Sequence, residues 1–500
     1  MTHVLLGQSY FLRFDPKLLA AMQPYPPLGT LYAAAYLRRR GHEVALFDAM
    51  LAGSENEWAA ALDRQQPQVA VLYEDNFNYL SKMCLLRMRD AALRMITLAR
   101  DRGCTVILCG ADASDRPEIY LAHGADYVIQ GEGEETLSRL LDVMEGRQQE
   151  PVDSITGLVW RDPSGSVRRN PPGPGIADLD ELVFPAWDLV DVSQYRQRWT
   201  ARHGYFSMNM VTTRGCPYGC NWCAKPIWGR RYSARTPANV VAELEWLKES
   251  YRPDHIWFAD DIFGLTPGWI ESFGGLARER NAAVPFKCQM RADLVTPPVA
   301  EGLRSARCDT VWLGAESGSQ KVLDAMEKGM TVGHIRQARR LLGDAGIKVG
   351  FFIQFGYPGE TRADIRMTLD LIRDLAPDDI GISVSYPLPG TGFYERVRAQ
   401  LGEKQNWTDS DDLAMLYRGP FPEAFYHALY RAVHAEFRMR KAIRLLKQSD
   451  MPRQAWRAKD LRAIASIPKH WMIWHRQRRQ LNRYREIPDE TQDRPLQSEK

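Results

Sequence analysis

Three cysteines crowd one short stretch of this chain, Cys216-Pro-Tyr-Gly-Cys220-Asn-Trp-Cys223. Three thiolates in one loop can each hold one iron of a cubic [4Fe–4S] cluster. The fourth iron is then left without a protein ligand, whereas most such clusters take four cysteines. An iron with an open position can bind a small molecule and pass it one electron. Two other chemistries compete for these residues. A structural zinc site needs a fourth Cys or His at ligand spacing, and none lies close by. A disulfide leaves one of the three thiols over. The other cysteines, Cys84, Cys104, Cys109, Cys288 and Cys308, are scattered, a usage that suits a reducing, cytoplasmic setting.

More chemistry-bearing residues recur downstream: Asp260 and Asp261 in Phe-Ala-Asp-Asp-Ile-Phe, Arg291 in Gln-Met-Arg-Ala-Asp-Leu, and Glu316 and Ser317 in Leu-Gly-Ala-Glu-Ser-Gly-Ser. The run Gly350 to Thr361 and then Tyr386 follow. Taken singly, the aspartates read as a helix N-cap pair, Arg291 as a surface ion pair and Glu316 as another cap. The elements that must position them alternate. Strands are predicted at 208–213, 255–259, 286–290, 311–314, 349–355 and 380–386, with helices between them such as 239–249 and 332–345. Six βα units are too few for an eight-stranded barrel, but charged groups at the C-terminal ends of barrel strands point into the active-site mouth.

The N-terminal part alternates in the same way. Strands are predicted at 4–6, 41–47, 69–73, 105–109 and 126–130, and helices at 28–40 and 82–102. That pattern implies an α/β fold with a doubly wound parallel sheet, whose ligands bind at the carboxyl ends of strands. Glycines there, Gly110 and Gly131, are places where a bulky ligand can approach the backbone. A Pro- and Gly-rich connector with a small hairpin (157–160 and 167–169) follows. The organisation read from these features is a doubly wound domain at 1–145, a connector at 146–204, a partial barrel at 205–400 and a helical basic region at 401–500. The last dozen residues have a disordered composition.

The Cys-x3-Cys-x2-Cys loop, with Trp222 before the third cysteine, resembles the signature of the radical S-adenosylmethionine (SAM) superfamily, and the serial strand-end motifs match that family's partial (β/α)6 barrel. The resemblance implies that Cys216, Cys220 and Cys223 hold the cluster and that its open iron chelates the amino and carboxylate groups of SAM. A one-electron C–S cleavage then usually gives a 5′-deoxyadenosyl radical. Charge matching distributes the rest of SAM: Asp260 or Asp261 for its ammonium, Arg291 for its carboxylate, Glu316 and Ser317 for the ribose hydroxyls. Tyr386 or residues near Gly356 would border the adenine, beside Trp222. The run from Pro26 to Asp48, Cys109-Gly-Ala-Asp-Ala-Ser114, Tyr127 to Glu134 and Phe184-Pro-Ala-Trp-Asp188 look like the cobalamin (B12)-binding branch of that superfamily. This implies cobalamin contacts from Ser9, Tyr10, Pro27, Leu28, Gly29, Tyr73, Glu74, Gly110, Ala111, Asp112, Gly131, Glu132 and Gly133. There are departures. The Asp-x-His-x-x-Gly motif that gives cobalt a histidine in other cobalamin proteins is missing, with Gly7-Gln-Ser-Tyr-Phe11 in its place. Cys109, Ala111 and Asp112 replace three residues of a Gly-Gly-Pro-His-like stretch. The alternative for this domain is a degenerate sheet serving only as scaffold or substrate platform.

The resemblance implies a cobalamin-dependent methyltransferase acting on an unactivated carbon of a small-molecule or lipid-like substrate, fed by an electron donor such as a flavodoxin or ferredoxin. An oxidative cyclase of the anaerobic porphyrin type is the alternative enzyme, and a non-catalytic cobalamin- or cluster-binding regulator the alternative outside catalysis. A methylthiotransferase would need a second cluster on Cys84, Cys104 and Cys109, whose placement reads as buried packing. The 500 residues are 45% apolar and 25% charged, an ordinary globular composition. The net charge of +3 gives no signal for nucleic acid, and no signal peptide or spanning apolar run is apparent. The basic stretch with Arg431, Arg438, Arg440, Lys441, Arg444 and Lys447 reads as a solvated helix face or a cover over the cleft. With Trp456, Trp471 and Trp474, it reads instead as a peripheral contact with an anionic membrane.

Overall fold

A computed structural model describes residues 3–447 and 458–484; Trp456 and the final residues, read above as membrane-facing and disordered, lie outside the described residues. The N-terminal strands are β1 (His3–Gly7), β2 (Glu43–Leu46), β3 (Val69–Tyr73), β4 (Thr105–Cys109) and β5 (Tyr127–Ile129), followed by the hairpin β6 (Leu158–Arg161) and β7 (Val167–Arg169). They form one sheet in the order 2-1-3-4-5-6-7. The first five strands are parallel, and the hairpin adds two antiparallel strands to the β5 edge. The apolar runs of β3 and β4 are buried on both faces, as helices covering both sides of a parallel sheet require. Order 2-1-3 puts a topological switch between β1 and β3, where a crevice opens at the carboxyl edge.

Next come β8 (Ser207–Met210), β9 (Thr213–Arg214) and β10 (Ser233–Ala234), then β11 (His255–Phe258), β12 (Phe286–Met290), β13 (Cys308–Glu316), β14 (Lys348–Phe355) and β15 (Asp379–Val384). Strand β8 and β11 to β15 make a six-stranded parallel sheet in the order 15-14-13-12-11-8. The segment 208–213, expected as one strand, is two. After Met210 the chain leaves the sheet, and β9 pairs antiparallel with β10, pinching off the loop that carries the cysteines. On β12 the alternation is plain: Phe286, Cys288 and Met290 are buried, while Lys287 and Gln289 look into the lumen. Helices follow most strands and start where short polar side chains cap them. Thr331 and Thr361 each form a reciprocal capping box, with His334 and Asp364.

The helix expected at 82–102 begins at Leu86. Cys84 stands in a left-handed turn at φ +53, so residues 75–85, with one short helical turn at Tyr79–Lys82, form a separate segment over the sheet's carboxyl edge. The basic helix Glu423–Lys447 lines the same cavity as β15. Helix Ile467–Asn482 is tied to it by Trp474, whose Nε1 donates to Glu436 at 3.1 Å. Glu436 also accepts from Arg373 and Arg440. Among the described residues no helix is long and apolar enough to cross a membrane.

Candidate active site

One cavity of about 1090 Å³ lies between the carboxyl edges of the two sheets. Ligand pockets typically measure roughly 300–1,000 Å³, so it stands at the top of that range. Cys216, Cys220 and Cys223 all line it. Gly215 makes their loop: at φ +80 its Cβ position lies 2.1 Å from the Arg231 carbonyl oxygen, which no side chain tolerates. Asn221, between the second and third cysteines, is the loop's anchor. Its side-chain amide donates to the Ala325 carbonyl at 2.9 Å and to Glu327 at 3.1 Å. Its oxygen accepts from the Tyr357 hydroxyl at 2.7 Å, and its backbone bonds Met326 and Phe393. Among the described residues no three His, Cys, Asp or Glu side chains share one metal-sized point; a cubane instead asks for one thiolate per iron. Burial pushes the Cys223 thiol up to about 12, helped by Asp261 and the other two thiols.

Around the loop stand Trp222, Asp261, Arg291, Glu316 and Tyr386, all lining the cavity. The Arg291 guanidinium lies 3.7 Å from the Tyr218 ring centroid and 3.9 Å from Cys220 Sγ. Asp293 holds its fork through two bonds of 3.0 and 2.9 Å. Glu316 ends β13 in a left-handed conformation, φ +57, and pairs with Lys328 at 2.9 Å, both side chains 7% exposed. The tyrosine hydroxyls of Tyr386 and Tyr79 are hydrogen-bonded, and Trp222 meets Tyr386 edge-on at 6.1 Å. Asp261 pairs with Lys82 of the N-terminal segment 75–85. The other two residues matched to SAM do not line the cavity. Asp260 is buried behind it, accepting from Thr212 N and Thr213 N at 2.7 and 2.6 Å, and burial raises it to about 6. Ser317 bonds Thr368 at 3.0 Å and shapes the turn after β13.

Of the residues matched to cobalamin, Tyr10 lines the cavity directly. Ser9 N donates to Glu74 and Gly29 N to Asp75 at 2.9 Å, so the buried Ser9, Tyr10, Pro27, Leu28, Gly29 and Tyr73 and the half-buried Glu74 form the switch-point edge. Burial lifts Glu74 to about 7. The room expected beside Gly110 is filled: its Cβ position lies 2.7 Å from Glu74 Cγ. That of Gly133 lies 2.4 Å from Cys109 Sγ, and Gly131, at φ +79, turns the chain after β5. Next to Ala111, Asp112 is held by Arg89 through two 2.6 Å bonds and by the Tyr120 hydroxyl. Glu132 and Glu134 are both bound by Arg214, the residue just before Gly215. These pairings were invisible in the motif because the arginines come from elsewhere in the chain. Among the described residues, four buried polar atoms at or just after the β1 and β3 ends have no partner: Gln8 Nε2, Tyr10 OH, Asn76 Oδ1 and Ser81 Oγ.

The radical SAM superfamily model matches residues 210–372, and the B12-binding domain model matches residues 18–141. The chain belongs to the radical SAM family that carries a B12-binding domain. In this B12-binding radical SAM chain the two matched regions face each other across the cavity. It is 27% identical over 390 residues, 76% of this chain and 81% of the relative, to an uncharacterised methyltransferase of Pyrococcus horikoshii. It is 24% identical, over 76% of this chain and 67% of the relative, to the anaerobic magnesium-protoporphyrin IX monomethyl ester cyclase of Rubrivivax gelatinosus. In fold it resembles the cobalamin-dependent SAM radical enzyme OxsB, solved with aqua-cobalamin and SAM, at TM-score 0.72 and 18% identity over 95% of this chain and 72% of that one.

Sequence reasoning missed Asn221, Lys328 and the Tyr79–Lys82 segment. A polar residue between two closely spaced cysteines was the available signal for Asn221. Lys328 sits in a short Glu-Lys-Gly turn with no spacing to mark it.

Proposed function

We propose that this chain is a cobalamin-dependent radical SAM methyltransferase acting on an unactivated carbon of a small-molecule or lipid-like substrate. The observation that carries this reading is the single cavity lined both by the three cysteines and by the carboxyl edge of the N-terminal sheet. The residues fit the groups. Cys216, Cys220 and Cys223 supply one thiolate per iron, and iron favours the thiolate form that burial alone opposes. The four unpartnered polar atoms at the β1 and β3 ends suit a ligand rich in amides, as cobalamin is, because a buried polar group without a partner costs about 1–3 kcal/mol. With the groups bound, cluster and SAM supply one-electron C–S cleavage and cobalamin supplies a transferable methyl group.

The chain's own part is positioning. Asn221 fixes the loop and Asp293 holds Arg291 flat for a carboxylate. Lys328 holds the Glu316 carboxylate in place as an acceptor for hydroxyls. Trp222, Tyr386 and helix Glu423–Lys447 wall off water. An electron donor of the flavodoxin or ferredoxin type completes the reading. The cyclase reading is favoured by the Rubrivivax relative. Product analysis on the anaerobically reconstituted protein separates the two. Methyl transfer yields S-adenosylhomocysteine together with 5′-deoxyadenosine, and an enzyme that yields 5′-deoxyadenosine without S-adenosylhomocysteine is not a methyltransferase. The exposed side of helix Ile467–Asn482, with Trp471 and Met472 52% and 60% exposed among Lys469, Arg476 and Arg479, supports peripheral contact with an anionic membrane.

A further inference from the structure

Most cations on the cavity wall are already used. Lys82 pairs with Asp261, Lys328 with Glu316 and Arg291 with Asp293, while Lys225 and Lys441 donate to backbone carbonyls. Lys287 differs. It projects from β12 into the lumen of the six-stranded sheet and lines the cavity. Among the described residues neither a hydrogen bond nor an ion pair reaches its ammonium. What surrounds it is aromatic: its Nζ lies 5.3 Å from the Trp257 ring centroid and 5.5 Å from that of Tyr25. Ring faces attract a cation but do not replace the hydration it has lost. The near titratable groups give no counter-charge. The Tyr25 hydroxyl is bonded to Ser207 at 3.0 Å, and Ser207 to His255 at 2.9 Å. Burial and Lys287 itself hold His255 neutral, down to about 4. Burial likewise lowers Lys287 to about 8, with no carboxylate to oppose it.

The lumen beside it is flat. Trp312 and Phe352 stack at 4.8 Å and 25°, and both line the cavity with Trp257. Glycines on the neighbouring strands make that slab fit: a Cβ at Gly350 would lie 2.5 Å from Trp312 Cδ2, and one at Gly381 would lie 3.2 Å from Phe352 Cδ1. A slab of rings with one unpaired ammonium at its edge is a recognition surface for a flat apolar body with an anionic end.

We infer that Lys287 anchors an anionic oxygen group, a carboxylate or a phosphate, of a substrate whose flat apolar body lies against Trp257, Trp312 and Phe352. This deepens the methyltransferase reading and rests on it, because it makes the lumen the substrate's place. A charge-assisted bond of this kind is worth roughly ten- to hundredfold in affinity. The test is calorimetric titration of the anaerobically reconstituted full chain with 2-naphthoate, 2-naphthyl phosphate and the neutral 2-naphthylmethanol. Wild type should bind at least one anion about tenfold or more tighter than the alcohol. Lys287→Met should lose that preference while binding the alcohol unchanged, and Lys287→Arg should keep it. Whichever anion binds tighter names the group. Equal affinity for acid and alcohol, a preference that survives in Lys287→Met, or no binding of any probe overturns the assignment. Iron and cobalamin are counted in the same samples. Full cofactor content without anion preference overturns the Lys287 assignment alone, whereas missing cofactors overturn the methyltransferase reading.

Discussion

Arg214 joins the two halves of this protein at one buried point. Its guanidinium binds Glu132 and Glu134 of the N-terminal sheet, and the three side chains are 4%, 5% and 3% exposed. Two residues on stands Cys216, the first cysteine of the loop. Arg214→Met keeps the bulk of the stem but leaves two carboxylates buried, with only the more exposed Arg231, 3.9 Å from Glu132, still near them. Breaking a buried pair in this way costs about 3–5 kcal/mol, most of it the uncompensated charge. The deficit has a pH sign. Burial already raises Glu132, with Arg214 pulling the other way; without Arg214 its folded-state pKa climbs further above the unfolded value. The folded variant then takes up a proton that the unfolded chain releases, so its stability falls as pH rises through that window. At ~1.4 kcal/mol per pH unit for one group, the deficit at pH 5.5 should be about 1–3 kcal/mol smaller than at pH 7.5. Urea unfolding of the full chain under anaerobic conditions, followed by tryptophan fluorescence at both pH values, measures it. Adding Glu132→Gln and Glu134→Gln to Arg214→Met should recover most of the loss, since removing a whole buried charge set is often neutral. A variant within about 0.5 kcal/mol of wild type, or a deficit that grows as pH falls, refutes the reasoning.

Three further outcomes follow from the geometry. Gly215→Ala places a Cβ against the Arg231 carbonyl at positive φ. It should cost more than about 1–3 kcal/mol and lower iron content on reconstitution, read by metal analysis beside a thermal melt. Asn221→Ala removes the amide's bonds to Ala325 and Glu327 and the acceptor for Tyr357. At about 1 kcal/mol per bond it should lose roughly 2–3 kcal/mol, and its cluster should bleach faster in air than the wild-type cluster, followed by visible absorbance. Trp471→Glu with Met472→Glu should leave the melting temperature within a few degrees and abolish co-sedimentation with phosphatidylglycerol vesicles. Unchanged sedimentation removes the membrane proposal.

Much of the scaffold was legible because its signals are local. The apolar runs of β3 and β4 and the alternation of β12 stand where the sequence puts them, since three β-branched or aromatic residues in each of the two runs, and a period of two in Phe-Lys-Cys-Gln-Met, leave little choice. The cysteine spacing was legible for the same reason. What escaped depends on partners distant in sequence. Asp112 and Glu132 sit in a motif that resembles a cobalamin cradle, yet Arg89 and Arg214 neutralise them from 23 and 82 residues away. Asp260 and Asp261 are adjacent and look interchangeable. One strand-end turn sends the first under Thr212 and Thr213 and the second to the cavity and Lys82. The basic run in Glu423–Lys447 gave a solvated face or a cover as readings. The structure makes it a cover along Tyr430, His434 and Phe437, with Arg438 and Lys441 on the cavity wall, while Arg440 pairs with Glu436 on the outer side.

The central claim is that one cavity holds both cofactors. It is tested most directly by counting iron and cobalamin bound to the anaerobically reconstituted full chain supplied with hydroxocobalamin, by metal analysis and visible spectrum, in wild type and in Cys220→Ala. The account predicts about four irons and one cobalamin per wild-type chain, with iron lost and cobalamin kept in the variant. Iron without cobalamin in wild type, or iron retained by Cys220→Ala, contradicts it.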